Sequence, residues 1–275
     1  MRRKSSNRAL ARRPPANLNN VRIILIDPQF PGNIGSTCRA MKTMGLTDLV
    51  LVRPPAYRDV AEARSLAHGA LDVLEAARAV ETLEEAIGDL HLLVGTTNRK
   101  RIGVLPDMMT VAEAAEEIVP VTQDHKAGIL FGREDRGLST EELTHCQVIA
   151  TIPVAEGMPS LNLSHAVQVV AYELFRASLG PLARRCADLA DLSEQEALIR
   201  RVNDLLLAVG FRPFRDDPES FVLTLRRVFG RAGMERRDVR ALHKLISTLQ
   251  HRLATCGEAP PEQNDPPALL LPPAG

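Results

Sequence analysis

Four short stretches of this 275-residue chain carry residues whose types and spacing could do chemistry. The segment Pro31–Gly45 (PGNIGSTCRAMKTMG) follows an apolar run and opens a helical pattern. Its glycines, three residues apart, allow close backbone approach, and a helix N-terminus favours anions. Asn33 and Arg39 are its polar candidates. On an ideal helix Arg39 lies four residues after Gly35, one turn in, so it can face the same mouth; a solvated helical arginine would read identically. The segment is half of a dinucleotide fingerprint, and GxGxxG is absent.

The second stretch, Leu130–Ser139 (LFGREDRGLS), ends an apolar strand at a glycine and adds four charges at once. Charges at the carboxyl end of a buried strand lie where open α/β sheets bind ligands. Gly132 would let a ligand approach the backbone, Arg133 can hold a phosphate and Glu134 can orient it. A charged surface turn also fits. The third, Ile152–Ser164 (IPVAEGMPSLNLS), is an irregular loop shaped by Pro153, Gly157 and Pro159, running into a long helix. Ser160 or Asn162 can cap that helix, and capping alone would account for both. The fourth, Gly95–Arg99 (GTTNR), ends another strand in small polar residues. Several such loops on one sheet edge describe a cleft better than any one does.

The elements that must position these stretches alternate. Apolar, β-branched runs predict strands at Val21–Ile26, Leu49–Val52, His91–Gly95, Ala127–Phe131 and Val148–Ile152. Helices are expected at Gly35–Met44, Ala61–Ala70, Leu83–Ile87, Ala112–Ile118, from Thr140 to Leu143, and at Leu163–Leu179. Strands spaced by helices imply an α/β fold, a mostly parallel sheet with helices on both faces. Residues 181–192 read as a linker. A helix follows over Ser193–Gly210, with Ser193 as N-cap and Glu196 completing a capping box. Phe221–Phe229 and Arg237–Leu253 complete a small helical C-terminal domain over 193–256. Residues 1–19 lack the apolar core of a secretory leader and suggest a disordered basic tail; the Pro-rich 257–275 suggest another.

Composition narrows the partners. A net charge of zero conceals six Lys/Arg and no acid in residues 1–20, and eight Lys/Arg against two acids in 220–253. Basic segments attract polyanions such as RNA. Aromatics are 3% of the chain and Trp is absent, against a surface of stacking aromatics. No apolar run suits a bilayer, so no membrane partner is expected. The four cysteines form no CxxC pair and no His stands at zinc-finger spacing, so no metal is expected and reduced thiols in a cytoplasmic protein are.

Taken in order, GNIGSTCRAMKTMG, LFGREDRGLS and IPVAEGMPSLNLSHAVQVVAYEL resemble the three motifs of the SpoU/TrmH branch of the SPOUT RNA methyltransferases. The resemblance covers about residues 20–255, including the helical segment with Leu225–Phe229 (LRRVF), and is closest to the tRNA ribose methyltransferases acting on position 32 of the anticodon loop. It implies S-adenosyl-L-methionine as cofactor, tRNA as substrate, an obligate homodimer with a shared site, and a C-terminal trefoil knot in a methyltransferase domain over 20–180. The cofactor positions fall on Thr96, Thr97, Asn98, Gly132, Ile152, Pro159, Ser160 and Leu161. The catalytic positions fall on Asn33, Arg39 and Ser160, with Arg133, Glu134 and Asn162 around the methyl transfer. Arg226, Arg227, Arg231, Arg236 and Arg237 would contact tRNA phosphates. One departure is Pro159, where a small polar residue is usual; proline has no N–H to donate. The resemblance gives Arg39 the role of base, which is awkward for a guanidinium of pKa above about 12; a clamp on the phosphate beside the ribose is the milder role. An rRNA ribose methyltransferase of the same family, a non-catalytic RNA-binding protein and a nucleotide-dependent oxidoreductase are the alternatives.

Overall fold

The computed structural model describes residues 17–99, 105–157, 160–180, 188–211 and 218–256. Residues 1–16 of the expected basic tail, the expected Pro-rich tail, most of the expected linker, and Pro159 lie outside the described residues; the last residues of the expected basic tail are ordered instead, Leu18–Asn20 forming a short 3-10 turn capped by Asn17.

Seven strands form one sheet, all pairings parallel: β1 Val21–Ile26, β2 Asp48–Val52, β3 Arg78–Val80, β4 Leu92–Thr96, β5 Met108–Thr110, β6 Ala127–Phe131 and β7 Val148–Thr151. The order is β3-β2-β1-β6-β4-β7-β5. The helices are α1 Pro31–Thr43, α2 Ala61–Leu66, α3 Leu71–Ala76, α4 Leu83–Ile87, α5 Val111–Val121, α6 Thr140–Thr144, α7 Leu163–Ser178, α8 Leu192–Ala208, α9 Pro218–Ala232 and α10 Arg236–Cys256.

A parallel sheet needs cover on both faces, and alternate residues of the same strands supply two cores. Ile23, Leu25, Leu49, Leu51, Ile129 and Phe131 join Ile34 and Met41 of α1, Ile118 of α5 and Val167 and Leu174 of α7. Ile24, Ile26, Val50, Val52 and Leu130 face the other way, onto Ile87 of α4, Leu143 of α6 and Leu192 of α8. Every residue of β1 is buried, Arg22 included. Its guanidinium donates to Asp48 (2.9 Å), to both oxygens of Asp89 (2.5 and 3.1 Å) and to the Ala86 carbonyl (2.9 Å). A buried charge is tolerable only with such partners.

Several expectations are corrected. α1 begins at Pro31 rather than Gly35, with proline at its first position, where the missing N–H costs nothing. The helix expected over Ala61–Ala70 breaks near Gly69 (φ +80°) into α2 and α3. The three-residue strands β3 and β5 were not anticipated. α8 is capped by Asp191, not Ser193: the Asp191 carboxylate accepts from the Glu194 N–H (2.8 Å) and Glu194 returns the bond to the Asp191 N–H (3.0 Å). The end of the expected linker is packed structure, since Ala190 is buried, Leu189 bridges to Glu235, and Leu192 N–H donates to the Leu90 carbonyl (2.8 Å). α8, α9 and α10 surround a third apolar cluster of Ala190, Leu198, Met234, Val239 and Ile246.

Candidate active site

A parallel sheet delivers all its strand ends to one edge, and the loops after β4, β6 and β7 meet there around a cleft of about 510 Å³. Phe131, Leu138, Leu163 and Ala166 are among its apolar lining. Thr96, Thr97, Asn98, Gly132, Ile152, Ser160 and Leu161 line it as well, so all the proposed cofactor positions within the described residues come together. Arg133 and Glu134 line the same space.

The loop after β6 doubles back on itself. A Cβ on Gly132 would lie 2.1 Å from the Gly137 carbonyl carbon and 2.2 Å from the Leu138 nitrogen. Gly137 takes φ +70° and donates its N–H to the Arg133 carbonyl (2.9 Å). The missing side chain at Gly132 therefore serves this closure first. The glycines of the first motif are also reassigned. A Cβ on Gly35 would lie 2.1 Å from the Ala63 carbonyl oxygen, and one on Gly32 would meet Glu62 and Leu66. They let α2 lie against α1 and do not open the helix to a ligand.

Arg133 is not available as a phosphate holder. Its side chain is one-tenth exposed, pairs with Asp27, and donates to both oxygens of Glu142 (2.9 and 3.2 Å). Glu134 turns the other way and accepts from the Gln29 N–H (3.0 Å) and from Asn33 Nδ2 (2.8 Å). Asn162 caps α7, its Oδ1 accepting from the Ser164 N–H (2.9 Å) and hydroxyl (2.8 Å). A backbone N–H can only donate, so the capping atom of Asn162 must be its oxygen and the atom it turns outward must be nitrogen. That Nδ2 donates to Asn33 Oδ1 (3.0 Å), which fixes the Asn33 amide with its own Nδ2 toward Glu134. One directed chain, Ser164 to Asn162 to Asn33 to Glu134, joins the three motifs.

Arg39 is outside this group. It is exposed, makes no hydrogen bond or ion pair among the described residues, and does not line the cleft. Of the basic residues expected to meet RNA, Arg226 is paired with Glu196 (2.8 Å), and Arg236 with Glu194 (3.0 Å) and Asp188 (3.3 Å). These two hold the helices together. Arg227 makes no such bond among the described residues, Arg237 is exposed on a pair with Glu235 (2.6 Å), and the Arg231 side chain lies outside the described residues. Sequence reasoning missed Asp27, Gln29, Glu142 and Ser164; only Asp27, a charge directly after an apolar run, left a trace of the kind that flagged Arg133. Among the described residues no three His, Cys, Asp or Glu are grouped to hold a metal, and no helix is long and apolar enough to cross a membrane.

Residues 20–172 match the model of the SpoU rRNA Methylase family. The chain belongs to that family. This SpoU methylase is 38% identical over 246 residues to the tRNA (cytidine/uridine-2′-O-)-methyltransferase TrmJ of Klebsiella pneumoniae, a match covering 86% of this chain and 98% of the relative. It is 33% identical over 245 residues to the tRNA (cytidine/uridine/adenosine-2′-O-)-methyltransferase TrmJ of Pseudomonas aeruginosa, covering 85% and 95%. The crystal structure of TrmJ from Z. mobilis matches with a TM-score of 0.71 at 35% identity, over 83% of this chain and 98% of that one.

Proposed function

We propose that this SpoU methylase transfers a methyl group from S-adenosyl-L-methionine to a ribose 2′-hydroxyl of tRNA, at cytidine or uridine 32 of the anticodon loop. The observation that carries the reading is the directed chain from Ser164 to Glu134, whose Glu134 end lines the cleft, in a protein matched over nearly the whole length of tRNA 2′-O-methyltransferases.

The cleft fits the cofactor in size and character. Its volume lies within the range of small-molecule pockets, roughly 300–1,000 Å³, and it combines apolar lining with polar strand ends. When bound, the cofactor supplies an electrophilic methyl on a sulfonium. Thr96–Asn98, Gly132, Ile152 and Ser160–Leu161 would hold it. In-line transfer needs the acceptor oxygen aligned at about 3 Å, and such alignment supplies several kcal/mol. Asn33 and Asn162 keep one another's amides fixed beside Glu134, so the polar edge the ribose meets is set before substrate arrives.

Arg39 acts as the clamp on the phosphate beside the target ribose. Its exposure, and its absence from the lining of its own chain's cleft, support a site completed by a second copy, hence a homodimer. The apolar side chains of Phe30 at the start of α1, Tyr172 and Phe175 on α7, and Leu179 at its end are exposed and suit such a contact. The crossovers support a trefoil knot over the methyltransferase domain, 20–180: the β4–β5 connection spans β7, while the β6–β7 connection spans β4. Residues 193–256 act as a helical tRNA-binding domain, with Arg227 and Arg237 toward phosphates, in a cytoplasmic enzyme.

Calorimetry with S-adenosylhomocysteine and mapping of ribose methylation in tRNA from a deletion strain test the reading. Loss of the methyl group at position 32 is expected; intact tRNA methylation, or absence of cofactor binding, overturns it. The family's description as rRNA methylases favours a second reading, ribose methylation of rRNA, which the same mapping on rRNA decides.

A further inference from the structure

The turn after β1 carries a charge that lies outside the three motifs. Asp27 stands one residue past β1 with φ 42°, and Arg53 one residue past β2 with φ 48°. They are the non-glycine residues of positive φ among the described residues, and left-handed backbone is unfavourable for a residue with a Cβ. Each extends the sheet by one rung: Asp27 N–H donates to the Val52 carbonyl (2.9 Å), Arg53 N–H to the Val80 carbonyl (2.9 Å). Their side chains form a two-point pair, Arg53 Nε to Asp27 Oδ1 (2.7 Å) and Nη2 to Oδ2 (3.1 Å). Asp27 also pairs with Arg133, which bonds Glu142 at the start of α6. A row of alternating charge, Arg53–Asp27–Arg133–Glu142, thus crosses the carboxyl ends of β2, β1 and β6.

Two residues further on, the Gln29 N–H holds Glu134. One strained turn therefore grips Arg133 and Glu134, two of the four charged residues of the loop that walls the cleft. Backbone outliers that gather at a site and are held by several partners mark a geometric requirement there. The outer pair is not explained as surface stabilisation, because Arg53 is 44% exposed and exposed ion pairs contribute little. Burial alone would raise the Asp27 carboxyl, but the bonds and charges of Arg53 and Arg133 outweigh it and hold the group ionised below its ordinary range.

We propose that Asp27 is a positioning residue for cofactor binding: it registers the loop 132–138 on the β1 turn, so that the cleft keeps its wall and Glu134 meets Asn33. The proposal rests on the methyl-transfer reading above.

Asp27→Asn tests it, because asparagine tolerates left-handed backbone and keeps one acceptor while losing the charge two arginines share. Arg53→Asn removes the outer member under the same backbone allowance. Wild type and both variants are compared by calorimetry with S-adenosylhomocysteine, by kcat and KM for the methyl donor, and by thermal melting. Asp27→Asn is expected to weaken S-adenosylhomocysteine binding about tenfold or more and to raise KM more than it lowers kcat, both measured at temperatures well below the variant's own melting. Arg53→Asn should show a smaller loss in the same direction. Variants that melt lower but bind as wild type would make the row merely structural and overturn the proposal. If Asp27→Asn fails to fold, unchanged binding by Arg53→Asn overturns it equally. A wild-type chain that binds no S-adenosylhomocysteine would instead sink the functional reading.

Discussion

Asn162 allows a sharp separation of two roles that one side chain performs at once. Its oxygen caps α7 and its nitrogen donates to Asn33. Asn162→Asp keeps the acceptor, and aspartate caps as well as asparagine, so helix stability should change by no more than a few tenths of a kcal/mol. The same change removes the donor to Asn33 and sets a carboxylate against the Asn33 oxygen, near Glu134. The lost hydrogen bond is worth about 0.5–1.5 kcal/mol, and the facing acceptors add a penalty of similar size. Together they correspond to a fall in kcat/KM of roughly 10- to 100-fold. Asn162→Ala loses both roles: about 1 kcal/mol of cap, hence a melting temperature roughly 2–4 °C lower, and the same catalytic loss. The assay is methyl incorporation into tRNA by each variant, with melting curves alongside. If Asn162→Asp methylates at the wild-type rate while Asn162→Ala does not, Asn162 is a cap and nothing more, and the directed chain has no part in the reaction.

Other substitutions probe the neighbouring contacts. Arg39→Ala should be nearly inactive yet bind S-adenosylhomocysteine normally, while Arg39→Lys should retain partial activity with little change in its pH–rate profile; wild-type methylation by Arg39→Ala would refute any role for it. Gly35→Ala places a methyl 2.1 Å from the Ala63 carbonyl oxygen, so despite alanine's better helix propensity, melting should fall by roughly 2–10 °C. Burial would raise the Asp89 carboxyl, but Arg22 and Lys126 hold it well below the usual range, so its contribution is full above the unfolded carboxylate pKa and is lost as pH falls through the folded value. The gap in melting temperature between wild type and Asp89→Asn should therefore be widest near neutral pH and close below about pH 4, as melts across that range would reveal. Arg227→Ala and Arg237→Ala should weaken tRNA binding and flatten its salt dependence, whereas Arg226→Ala should chiefly lower stability by unpairing Glu196, which titration at several salt concentrations distinguishes.

The alternation of apolar runs and helical patterns made the central strands legible, because a strand buried on both faces must be apolar throughout. β3 and β5, three residues each at opposite edges, are too short to show a period. The cap of α8 was ambiguous in principle, since Asp191–Glu194 and Ser193–Glu196 both have capping-box spacing. Packing decides it, because starting the helix at Leu192 seats that side chain in the core beside α4. The cleft was readable from strand ends alone. What its residues do was not: whether Gly35 faces a ligand or α2, and whether Arg133 meets a phosphate or Asp27, depends on elements far away in sequence. Arg226 and Arg236 read as free cations only because their acidic partners, Glu196 and Glu194, sit on another helix.

The place of β1 in the interior of the sheet has a consequence during synthesis. One of its edges is satisfied early by β2, but the other waits for β6, about 100 residues later. At roughly 5–20 residues per second, that edge stays open for about 5–20 s as the chain emerges. An open, apolar strand is a template for pairing with another chain. Arg22 is the sole charge within VRIILI. Bonded to Asp48 and Asp89 in the finished fold, it stands until then as the one guard against the nascent strand finding the wrong neighbour.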